Sequence, residues 1–131
     1  MNMKDYDDTI QDIKSTLGFV PGYMKALPED ILVKEWPLLK RYSFGESKIP
    51  AKYRELIGLA VAAALRCPYC ELSHRSRAKA SGANDREIAE ISALAGLTSG
   101  WSAMIHAQGY DIEVFKKEIA EINSYVKKKG G

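Results

Sequence analysis

Two cysteines and a histidine fall within residues 55–74 of this 131-residue chain, in the stretch ELIGLAVAAALRCPYCELSH, with Glu55 at its head. Cys67 and Cys70 are the only cysteines. Two thiols separated by two residues can exchange with a disulfide between them and so carry two electrons. Cys67, Cys70 and His74 are spaced three and then four apart, which puts them on one face of a helix. Pro68 suits the first turn of that helix, with Cys67 at or near its N-cap. Exposed amides and the positive end of the helix dipole there favour thiolate over thiol. His74, one turn beyond Cys70, is placed to take its proton or stabilise its anion. Glu55 is the more distant member, orienting His74 or relaying a proton directly or through water. Tyr69 lies between the cysteines, where it lines the mouth of a pocket or donates a hydrogen bond. His106 reads as a core-edge residue or as one that approaches the site from its own or a neighbouring subunit.

Other chemistry fits some of the same residues. A buried, inert cysteine pair is the blandest reading, and placement beside a proline at a helix start argues against it. Cys67, Cys70 and His74 can supply three zinc ligands, with Glu55 or His106 as a fourth. Structural zinc sites, however, usually draw ligand pairs from two separate segments. A zinc-stabilised structural or regulatory module is therefore the non-enzymatic alternative to a dithiol enzyme.

The elements that must position these residues are all helical. Tyr6, Ile10, Ile13 and Leu17 form a helical stripe that Gly18 closes. One helical turn is expected after Pro21-Gly22. Pro28-Glu29-Asp30 opens a helix whose buried side carries Leu32, Trp36, Leu39 and Tyr42, with a kink expected at Pro37. A loop at 45–48 leads to the central helix, from Ile49-Pro50 to about Leu65. It is apolar all round after Glu55, so it must be surrounded, which hints at subunit contacts. Gly58 and the alanines at 60 and 62–64 permit close approach by neighbours. The cysteine helix runs to about Ala80. Asn84-Asp85-Arg86-Glu87 has the form of a capping box. The helix after it carries Ile88, Ile91 and Ala95 and is expected to close at Gly96. Thr98-Ser99 is expected to cap a separate helix containing Trp101, Met104 and Ile105. Asp111 caps the last helix, with Phe115, Ile119, Ile122 and Val126 on its inner face. No alternating strand appears, so the fold class is all-α, a compact multi-helix domain over 1–131 with a solvated tail at 127–131.

Composition narrows the function classes. Apolar residues at 46%, charged residues at 27% and a net charge of +2 are ordinary for a soluble protein and too balanced for a nucleic-acid surface. The first residues lead into polar sequence without a signal-peptide core, and 56–65 is too short to cross a bilayer. A cytoplasmic protein without membrane or nucleic-acid partners is expected. Two cysteines in that setting argue for redox or metal chemistry over a disulfide framework.

Cys-Pro-Tyr-Cys is also the tetrapeptide of glutaredoxins, where it follows a strand and meets a later proline. Here an alanine-rich helical stretch precedes it and no proline follows Pro68, so that fold is excluded. The wider pattern resembles the carboxymuconolactone decarboxylase superfamily, and within it the alkyl hydroperoxidase D branch. Pro50, Arg54-Glu55-Leu56-Ile57, Cys67-x-x-Cys70-x-x-x-His74 and Gly82-Ala83 with Glu87-Ile88 carry the likeness, which spans about 36–117, with the helices at 5–30 as an extension. The resemblance implies an all-helical fold, assembly into trimers or hexamers, no bound cofactor, and thiol-dependent peroxidase or disulfide reductase activity. Its substrates would be a hydroperoxide or a disulfide, and its reductant a protein or small-molecule dithiol. It further implies that Glu55, Cys67, Cys70 and His74 form a proton-relay and dithiol site with Cys70 attacking, whereas N-cap placement favours Cys67. Many hydroperoxidase D proteins carry a histidine where this chain has Tyr69. The founding decarboxylases generally lack the paired cysteines, so a decarboxylase-like lyase is the enzymatic alternative.

Overall fold

Seven helices and no strand make up the computed structural model over the described residues, 3–130. Helices α1 (Met3–Leu17), α2 (Gly22–Lys25) and α3 (Glu29–Phe44) form one packing unit. Ile13, Val20, Met24, Leu32 and Trp36 are its buried core, with Tyr6, Ile10 and Leu17 packed against it. The predicted stripe of α1 thus faces inward, and Gly18 takes the positive φ that ends the helix. Pro37 lies inside α3, which continues through it.

A polar bridge pins α1 to α3 beside this core. Asp12 accepts from the Trp36 indole Nε1 at 2.7 Å and from Lys40 Nζ at 2.6 Å. The Lys40 hydrogen bond, and then that of Trp36, hold the Asp12 carboxyl below its usual range. A carboxylate with a depressed folded-state pKa stabilises the fold above its unfolded pKa and loses that contribution as pH falls through the folded value. Asp12→Asn should therefore melt lower than the parent at pH 7, and the gap should close in acid below about pH 4. Both partners of the ion pair are about two-fifths exposed (42% and 40%), so the effect is at most about 1 kcal/mol. Thermal melts across pH check both sign and size.

The site rests on the second unit, α4 (Ala51–Leu65), α5 (Pro68–Ala80) and the first half of α6 (Asp85–Ala107). Leu56, Ala78 and Ala83 are buried at its centre, with Ile88 and Ile91 packed on them. Pro50 opens α4, its carbonyl accepting from the Tyr53 and Arg54 amides. Arg66 closes α4 in the left-handed conformation, φ 58° and ψ 40°. The Cys67 amide then donates back to the Ala62 carbonyl at 3.0 Å. That corner turns the chain directly into α5. Asn84 and Glu87 form the expected capping box of α6, and Lys52 ties α4 to it through Glu87 at 2.8 Å.

Three expectations are corrected here. First, α6 does not close at Gly96, and no new helix begins at Thr98-Ser99; one helix runs to Ala107. A glycine inside a helix costs only about 1 kcal/mol, and closure requires the left-handed turn, which Gly109 adopts and Gly96 does not. Second, the apolar side of α7 (Ile112–Lys129) faces outward: Ile119, Ile122 and Val126 are exposed, and neither α6 nor α7 contains a buried residue. Third, Leu39 and Tyr42 of α3 and Ile57, Val61 and Leu65 of α4 are exposed, so α4 is not surrounded within one chain. Asp111 caps α7 as expected, accepting from the Glu113 and Val114 amides. The helix continues through Lys129, into the stretch expected to be tail, and Gly131 lies outside the described residues. By length and composition alone α6 is apolar enough to cross a membrane, yet its first turn carries Asp85 and Glu87 and its first half docks on α4.

Candidate active site

Cys67 is the N-cap of α5 and Pro68 its first residue. The Cys67 sulfur accepts from the Cys70 amide at 3.2 Å. The same two sulfurs are joined in a disulfide, with 5.4 Å between the Cα atoms. Cys67 is half-buried and Cys70 is exposed. A sulfur that already accepts an amide hydrogen at a helix start is the one better stabilised as a thiolate. The more accessible sulfur is Cys70.

One turn further along α5, His74 meets α4. Glu55 is buried, at 4% exposure, and its Oε2 accepts from His74 Nδ1 at 2.8 Å and from Arg77 Nε at 3.1 Å. A carboxylate only accepts, so the hydrogen belongs on Nδ1 and the basic Nε2 is left for other partners. Arg77 Nη2 lies 3.3 Å from Nδ1, a donor facing a donor in that arrangement, so the shorter bond to Glu55 fixes the ring. One cation, Arg77, together with the N–H of His74 on the same carboxylate explains how a charge is tolerated in the interior.

Arg77 is the residue that sequence reasoning missed. Its signal was present: it lies three residues after His74 and seven after Cys70, on the same helical face. Its guanidinium also stands 6.0 Å above the Phe44 ring.

Gly58 explains why the imidazole fits. A Cβ built there would lie 2.5 Å from His74 Nδ1 and Cε1 and 2.7 Å from Nε2. The ring therefore rests against bare α4 backbone, the close approach that a glycine at 58 allows. Gly58→Ala should raise helix propensity by about 1 kcal/mol while driving the ring off Glu55. The expected result is a folded protein with an unchanged or higher melting temperature and about 10- to 100-fold lower turnover. Melting and kinetics measured on one preparation check the split.

Tyr69 projects into solvent at 85% exposure. His106 is exposed on the second half of α6 and lines a recess with Ile105, Tyr110 and Phe115. Within one chain it shares no recess with His74. Trp101, on the same helix as His106, is 60% exposed and so is not core. Among the described residues no three His, Cys, Asp or Glu side chains converge to hold a metal ion. Glu55 and His74 open instead into a groove of about 610 Å³ between the end of α3, the loop after it, α4 and α5.

The family model for the Carboxymuconolactone decarboxylase family matches residues 34–110. A crystal structure of the alkylhydroperoxidase AhpD core from Rhodospirillum rubrum superposes with a TM-score of 0.71 at 31% identity, covering 86% of each chain. No curated protein matches. With more than half of its length matched, and with the all-α fold of an alkylhydroperoxidase core, the chain belongs to the carboxymuconolactone decarboxylase family.

Proposed function

We propose that this protein is a thiol-dependent oxidoreductase that reduces hydroperoxides or disulfides through the Cys67/Cys70 couple. The observation that carries the reading is the bonded cysteine pair at the open start of α5, one turn from an imidazole held by a buried carboxylate. In the oxidised form a donor thiolate attacks the exposed Cys70 sulfur. The Cys67–Cys70 bond breaks, and Cys67 leaves as a thiolate held by the Cys70 amide. A second donor thiol displaces Cys70 from the mixed disulfide, completing a two-electron reduction. In the reduced form the Cys70 thiolate attacks the terminal peroxide oxygen, the O–O bond breaks, and the departing alkoxide takes a proton. Cys67 then attacks the Cys70 sulfenic acid, which re-forms the disulfide and releases water. The sum is hydroperoxide plus dithiol giving alcohol, water and disulfide. His74 Nε2 is the group that moves the proton, and Glu55 with Arg77 holds its ring. A reducing cytoplasm, the location we propose, supplies the dithiol.

Stoichiometry tests the reading. Fully reduced protein mixed with one equivalent of cumene hydroperoxide should lose two thiols per chain and form one equivalent of alcohol. Thiols that survive both this treatment and an excess of a model disulfide would refute it.

The same reading includes self-association. The bare apolar residues of α6 and α7, Trp101 and Val126 among them, are 60% and 59% exposed. Faces of this kind mark interaction sites, and a trimer or hexamer would cover them. Light scattering in solution should give three or six times the 14.6 kDa chain mass; a monodisperse monomer would contradict it.

A further inference from the structure

The groove beside His74 is charged in one sense. Arg41, Lys48, Arg54 and Arg77 line it, and Glu55 is its one carboxylate. Glu55 is already engaged by Arg77 and His74. Among the described residues no acidic side chain pairs with Arg41, Lys48 or Arg54. Arg54 carries the sharper sign. One of its nitrogens, Nη2, donates to the Gly45 carbonyl at 2.8 Å, while Nε and Nη1 are buried with no hydrogen-bond partner. Buried donors of a charged group without an acceptor are costly and rare in folded proteins. Leu39, Tyr42, Ile49 and Ile57 give the groove an apolar side, with Ser43 and Ser47 beside them. Leu39 and Tyr42 of α3, Ile49 of the loop before α4 and Ile57 of α4 are all exposed in the single chain.

An apolar wall with unpaired guanidinium and ammonium groups fits an amphiphilic anion. Arginine matches a planar carboxylate through paired N–H bonds. Resting on the thiol-dependent reading above, we propose that the groove selects substrates bearing a carboxylate on an apolar body: a hydroperoxide, or a disulfide, of an organic acid. The acid group sits among Arg41, Lys48 and Arg54, and the chain lies along Leu39, Ile49 and Ile57. The reducible bond reaches past His74 to Cys70. His74 and Cys70 are one helical turn apart, about 6 Å along the axis, so acid and reducible bond are separated by several carbon atoms.

Binding and turnover are tested separately, so that the groove and the redox reading can fail independently. Octanoate and octan-1-ol share a chain and differ in charge. Calorimetry on the oxidised wild-type protein at low salt should give octanoate about tenfold tighter binding or better. Raising ionic strength should erode that preference, and the double variant R41Q/K48Q should bring it close to parity. In the turnover arm, linoleic acid hydroperoxide and its methyl ester are compared with dithiothreitol as donor, and the acid should show about tenfold higher kcat/KM. Octanoate preference without any hydroperoxide or disulfide turnover would uphold the groove and overturn the redox reading. Turnover with acid and ester treated alike, and no octanoate preference, would overturn the groove. If R41Q/K48Q instead dissociates the assembly and leaves ligand preference unchanged, the occupant is an acidic surface of a second copy, and the substrate proposal falls.

Discussion

Replacing Cys70 with serine should lower dithiol-dependent turnover of hydroperoxides and disulfides by about a thousandfold or more, the scale seen when an enzyme nucleophile is removed. Serine keeps the size and the helix start but cannot form the sulfenic acid or the disulfide. Cys67→Ser is expected to behave differently. It leaves the exposed sulfur in place and removes the one that resolves it, so a single oxidation event should survive while the steady state collapses. Burst kinetics with limiting peroxide would separate the two variants: about one equivalent consumed by Cys67→Ser and none by Cys70→Ser. A double serine variant with parental activity would refute the dithiol reading.

Glu55→Gln is expected to have the next largest effect. The carboxylate is buried, and a single oxygen holds both the His74 ring and the Arg77 guanidinium. Glutamine preserves shape but offers an acceptor without charge, and leaves Arg77 uncompensated. Losing the orientation of a general acid–base group costs about a hundredfold in rate, and a half-satisfied buried cluster costs about 1–3 kcal/mol of stability. Denaturant midpoints and kcat should be read together. Where the midpoints show the variant folded under assay conditions, a lost rate reports the site itself. An unchanged kcat would remove Glu55 from the proton path.

Local chemistry made much of this architecture legible from sequence. Cys67 before Pro68, Asn84 with Glu87, and Asp111 each satisfy orphan amides at a helix start, and each marks its helix correctly. The spacing of Cys67, Cys70 and His74 places them along one side of α5 because helical periodicity converts spacing directly into geometry. Arg77 escaped notice because an arginine on a polar helix face looks like ordinary solvated charge until a buried carboxylate is found opposite it. The outward-facing Leu39, Ile57, Ile119 and Ile122 were misplaced for a related reason. Amphipathic patterning tells which side of a helix avoids water, and it does not tell whether the shelter comes from the same chain. Gly96 failed as a stop signal because composition cannot reveal whether a glycine adopts the left-handed turn.

The corner at Arg66 makes α4 a ruler. Because α5 starts almost immediately after α4 ends, the number of residues from Glu55 to that corner sets the compass bearing at which the glutamate meets the imidazole. One inserted residue would swing Glu55 by about 100° and slide it about 1.5 Å, and Gly58 would leave the ring with it. An insertion or deletion between Glu55 and Arg66 should therefore part the glutamate from the imidazole.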